Sequence, residues 1–84
     1  MQDNWITVDR FIRDASELGR RLDLVSTRDS RKVVSAVVQS GREDYQWLLS
    51  QRPGLSLSAR DELLIEAMLD SIRARIKFLG TLAE

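Results

Sequence analysis

The sequence predicts an all-α fold: a three-helix antiparallel bundle in one domain spanning residues 1–84, with helices at about 8–25, 28–51 and 59–79. Three observations carry the prediction. Apolar residues recur at three- and four-residue steps through each stretch, the spacing of one helix face. Hydroxyl residues followed three positions later by a carboxylate, the capping-box spacing, precede the second and third stretches. The links are short, and short links return each helix alongside its predecessor. The alternative is an open hairpin of the second and third helices that completes a four-helix core by dimerising.

In the first stretch Val8, Phe11, Ile12, Ala15, Leu18, Gly19, Leu22 and Val25 share a face, and Arg10, Arg13, Asp14, Glu17, Arg20 and Arg21 occupy the remainder. Asn4 or Thr7 is placed to cap this helix. Gly19 costs a helix about 1 kcal/mol relative to alanine, so its position inside the apolar face predicts a close helix crossing.

Ser26-Thr27-Arg28-Asp29 predicts the start of the second helix. The four valines of Lys32 to Gly41 favour extended chain by composition. Their spacing decides otherwise: Val33, Val34, Val37, Val38, Gly41, Tyr45, Leu48 and Leu49 stay on one helical face, whereas strict alternation fails at both Val-Val pairs. Ser40-Gly41-Arg42-Glu43 repeats the capping spacing and marks Gly41 as an alternative break. Pro53 ends the helix, because proline disfavours helical geometry in the residue before it and Pro-Gly is a turn dipeptide.

Ser58-Ala59-Arg60-Asp61 opens the third helix, and Asp61, Glu62, Glu66 and Asp70 precede Arg73, Arg75 and Lys77. That order matches the helix macrodipole. Gly80 is the expected stop. The predicted core holds Phe11, Leu18, Leu22, Val34, Val38, Tyr45, Leu48, Ile65, Leu69, Ile72, Ile76 and Leu79.

Composition narrows the chemistry. A chain of 84 residues is in the size range where folding buries only about 60% of the surface and stability is marginal, so idealised packing or oligomerisation has to help. Cysteine and histidine are both absent, which excludes disulfides, Cys/His zinc sites and a histidine base. No glycine-rich phosphate loop, dinucleotide fingerprint or metal signature is present, so neither cofactor nor metal is expected. Glu43-Asp44 and Asp61-Glu62 are neighbours in sequence and point apart on a helix. Glu62, Glu66 and Asp70 share one edge, read as a solvated carboxylate ladder. The expectation is a protein that is not an enzyme.

Thirteen basic and thirteen acidic residues give zero formal net charge, removing the long-range field of a nucleic-acid or anionic-membrane binder. The opening residues hold no basic segment followed by an apolar run, and no apolar run approaches the roughly 20 residues of a membrane span. A cytoplasmic protein is the expectation.

The third helix has non-polar residues to spare. Leu64, Ile65, Met68, Leu69, Ile72, Ile76 and Leu79 form one stripe, the expected internal core. Leu63, Ala67, Ser71, Ala74 and Phe78 form a second strip beside it, leaving Glu62, Glu66, Asp70, Arg73, Lys77 and Gly80 on a narrow polar edge. The strip is either buried by the protein's own helices or covered by a second chain. Trp47 lies off the apolar face of its helix, where it serves as a binding anchor or folds back on Pro53 or Leu55. Arg75 falls within the main stripe, so its guanidinium must snorkel outward or meet a carboxylate, with Asp44 as a possible partner.

The resulting expectation is a small protein-interaction module, a regulator, adaptor or inhibitor, that docks helix on helix through Leu63, Ala67, Ser71, Ala74, Phe78, Trp47 and Arg75, forming a homodimer or engaging another protein. The alternative is a nucleic-acid-binding regulator using Arg20, Arg21, Arg28, Arg31 and Lys32. Asp14, Glu17, Asp23 and Asp29 are interspersed among these cations, which favours a salt-bridged surface.

Overall fold

The structure is a computed structural model that describes residues 6–26 and 28–83. The chain folds as α1 (Val8–Leu24), α2 (Arg31–Gln51), a single 3-10 turn (Arg52–Gly54) and α3 (Ala59–Ala83), with no strand among the described residues. Each helix packs on both others. The architecture is therefore the three-helix bundle, and the open hairpin is not adopted.

Thr7 caps α1: its hydroxyl accepts a hydrogen bond from the Arg10 amide at 3.1 Å, satisfying one of the free N–H groups of the first turn. Asn4, the other cap considered, lies outside the described residues.

The second helix starts at Arg31 rather than at 28. Asp29 does reach back, as the capping-box spacing implies, accepting from the Ser26 amide at 2.8 Å. That bond and the one from the Arg28 amide to Ser26 Oγ (3.1 Å) close a turn ahead of the helix. The cap itself is Ser30, whose hydroxyl accepts from the Val33 amide at 3.3 Å. Two overlapping hydroxyl signals compete here, and the later one starts the helix.

Gly41 does not break α2. It is buried where three helices converge: a Cβ at this position would lie 3.2 Å from Leu22 Cδ2 on α1 and 3.7 Å from Ile76 Cγ1 on α3. Glycine here permits the close approach. Gly19, for which that role was expected, has nothing within 4 Å of a built Cβ. The close crossing is thus carried by the second helix and not the first.

The third helix also continues past 79, through Gly80 to Ala83. Glycine weakens a helix but does not end it where packing continues. Leu79 is fully buried, and Leu82 and Ala83 pack against the core beyond it.

Phe11, Leu18, Leu22, Leu48, Ile65 and Leu79 form the fully buried centre, joined by Ala15, Val25, Val34, Val38, Leu69, Ile72 and Ile76. Three residues depart from the expected core. Tyr45 and Met68 are half-buried, and Leu64, assigned like Met68 to the internal stripe of α3, is exposed.

Candidate protein-docking surface

The geometry of α3 follows from its period. Ile65, Leu69, Ile72, Ile76 and Leu79 point into the bundle. At about 100° per residue the positions of Leu63, Ala67 and Ala74 then fall on the far side of the helix, with Ser71 and Phe78 close beside them. All five side chains are exposed, Leu63 at 71% and Phe78 at 46%. The bundle covers one stripe of α3 and leaves this strip, about 22 Å long at 1.5 Å per residue, open to solvent. Leu64 borders it and widens its apolar area.

The two margins of the strip differ. One carries Glu62, Glu66, Asp70, Arg73 and Lys77, all exposed. Two ion pairs lie along it, Arg73 with Asp70 at 3.8 Å and Arg52 with Glu66 at 3.3 Å. Surface pairs of this kind are worth about 0–1 kcal/mol and exchange partners readily. The other margin descends into a shallow groove against α1, lined by the small residues Ala15, Ser16 and Gly19 of α1 with Ala67 and Ser71 of α3. Gly19 therefore leaves space in the groove.

Arg75 is engaged within its own chain. Its guanidinium donates to the Val25 carbonyl at 3.3 Å, lies 3.8 Å from an Asp23 carboxylate oxygen and stacks over the Phe78 ring at 5.3 Å. Val25 is the C-cap of α1, so the cation sits where the helix dipole favours it. Asp44, the partner considered from sequence, pairs with Arg21 instead. The level of Arg75 along α3 matches the end of α1, which the sequence could not place.

Trp47 is 40% exposed and lies apart from the α3 strip. With Leu24 and Leu48 it lines a cleft between α1 and α2. The Arg10 guanidinium stands 5.9 Å from its ring centroid, a cation–π distance. Arg20, Arg21, Asp14, Glu17 and Asp44 line the same cleft, so opposite charges are interleaved there. Arg28, Arg31 and Lys32 are exposed around the start of α2, apart from that cleft. The structure does not gather the basic cluster into one uninterrupted cationic face.

Sequence reasoning missed Leu24, which is 76% exposed. A signal existed: Leu24 stands two positions beyond buried Leu22, about 200° around the helix. The exposure of Val33 was less legible, because Val33 sits at the edge of the α2 face that buries Val34.

Among the described residues no helix is long and apolar enough to cross a membrane, and no group of three or more acidic, histidine or cysteine side chains could hold a metal ion. Fold and surface together define a small three-helix bundle whose last helix has an uncovered outer side. No protein-family model, curated protein or solved structure matches the chain.

Proposed function

We propose that the protein is an interaction module, acting as a regulator, adaptor or inhibitor, whose α3 strip receives a helix of another polypeptide. The observation that supports this reading is the exposure of Leu63 and Phe78 at the two ends of a strip whose middle is Ala67, Ser71 and Ala74. Small central residues allow two helix axes to approach to the 8–10 Å typical of packed helices, while the large ends supply area. Full burial of side chains such as these contributes about 1.5–3 kcal/mol each. Trp47 offers a second anchor on a different face, in keeping with the weight tryptophan carries at interfaces.

Ala74→Glu tests the reading, since it places a charge at the centre of the strip without touching the core. Circular dichroism should stay helical. The chain is then tagged and recovered from its native cells beside a differently tagged second copy. Loss of any bound protein, the second copy included, on Ala74→Glu supports the module. If nothing that binds the unaltered chain depends on Ala74, the reading fails.

A further inference from the structure

We propose that the occupant of the α3 strip is a second copy of this chain, laid antiparallel, with a two-fold axis crossing the helix between Asp70 and Ser71. The proposal rests on the docking reading above and names its partner. The pattern of side-chain size carries it first. Leu63 and Phe78 lie equally far from that point in opposite directions, and so do Ala67 and Ala74. A two-fold interface must present the same patch on both subunits and be complementary to itself. Reversed upon its own copy, this strip sets Leu63 against the partner's Phe78 and Ala67 against the partner's Ala74. Large residues meet large ones at the ends, and small meet small where the axes come closest.

Charge carries it further. Along the polar margin the sign changes at the same point: Glu62, Glu66 and Asp70 lie before it, Arg73 and Lys77 after it, and all five are exposed. Antiparallel docking about that axis keeps the two margins on the same side of the interface. Asp70 then stands one step of about 3 Å along the axis from the partner's Arg73. Glu66 falls midway between the partner's Arg73 and the partner's Lys77, and Glu62 lies an equal step from the partner's Lys77. Parallel docking would instead send the two margins to opposite sides of the interface, where none of these pairs can form. The existing pairs along the margin, Arg73 with Asp70 and Arg52 with Glu66, are exposed and free to rearrange. Zero formal net charge on the whole chain leaves no overall repulsion between copies.

The chain has no cysteine, so single introduced thiols report the geometry without background. Molar mass of the full chain is measured by sedimentation equilibrium across a concentration series, for the unaltered chain and for Ala74→Glu. Ser71→Cys and Ala67→Cys chains are then oxidised separately, and Ala67→Cys is oxidised in mixture with Ala74→Cys. The expected result is a concentration-dependent dimer, weakened at least about tenfold by an unpaired charge at Ala74. Ser71→Cys, next to the axis, should cross-link to itself. Ala67→Cys should cross-link to Ala74→Cys but not to itself, because its own counterpart stands about 10 Å away along the helix. Efficient self-linking of Ala67→Cys would overturn the antiparallel arrangement, as would a dimer indifferent to Ala74→Glu. A monomer at every concentration would overturn the second-copy proposal. Capture of a different protein that depends on Ala74 would then still uphold the module reading, so the two failures are distinguishable.

Discussion

α1 and α3 both bury a continuous apolar stripe in the same core, yet their opposite sides are unlike. Away from Phe11, Ala15, Leu18 and Leu22, α1 presents Arg13, Glu17 and Arg20 with a single large apolar residue, Leu24, at its end, all exposed, close to what a helix covered on one side and wetted on the other requires. Away from Ile65, Leu69, Ile72, Ile76 and Leu79, α3 presents Leu63, Ala67 and Ala74. A monomer needs only the α1 pattern. The α3 pattern leaves apolar surface facing water, a liability unless something covers it.

The contrast can be broken by paired truncations, with the largest effects expected inside. Leu22→Ala on α1 and Ile65→Ala on α3 each remove a fully buried side chain and should cost about 2–5 kcal/mol in urea unfolding. Leu24→Ala and Leu63→Ala, on the outer sides, should change stability by less than about 0.5 kcal/mol. The α3 pair is measured in the Ala74→Glu background so that association does not contribute. A loss of core magnitude at Leu63 in that background would mean that the α3 strip belongs to the internal core.

An effect between those of the inner and outer truncations is expected at Gly41. Gly41→Leu forces a side chain between Leu22 and Ile76, and overpacking of this kind costs about 1–3 kcal/mol. Thermal unfolding would register it as a lower Tm, and an unchanged Tm would show that α1 and α3 do not converge on this position. Opposite in sign is Gly19→Ala. With open space around a built Cβ, the substitution should stabilise α1 by up to about 1 kcal/mol. Destabilisation there would mean that α1 and α3 sit closer than the groove between them indicates.

The comparison also explains what was legible in the sequence. Helix number, order and core followed from the period of apolar residues, a local property. The strip on α3 was legible for the same reason, since Leu63 and Ala74 can be placed opposite Ile72 without knowing any neighbour. What remained hidden depended on how the helices meet. Gly19 and Gly41 both lie on apolar faces, and only the mutual rotation of the helices decides that Gly41 takes the crossing. Arg75 could be assigned to a stripe, but its partner depended on which residue of another helix stands at its level. Gly80 was read as a stop because its propensity is local, whereas the packing of Leu82 and Ala83 that carries the helix onward is tertiary. The start of α2 was placed three residues early for a different cause: Ser26 has the full capping-box spacing, and nothing local shows that its turn closes ahead of the helix that Ser30 caps.

The Arg75 side chain has a consequence for what the outer strip can transmit. Its guanidinium underlies the Phe78 ring and at the same time holds the terminal carbonyl of α1 at Val25. One rigid planar group thus bridges the exposed aromatic and the corner where α1 gives way to α2. A partner that held the ring would hold the guanidinium beneath it, and slower amide exchange at Ser26 and Arg28 on association is the sign to expect of that bridge.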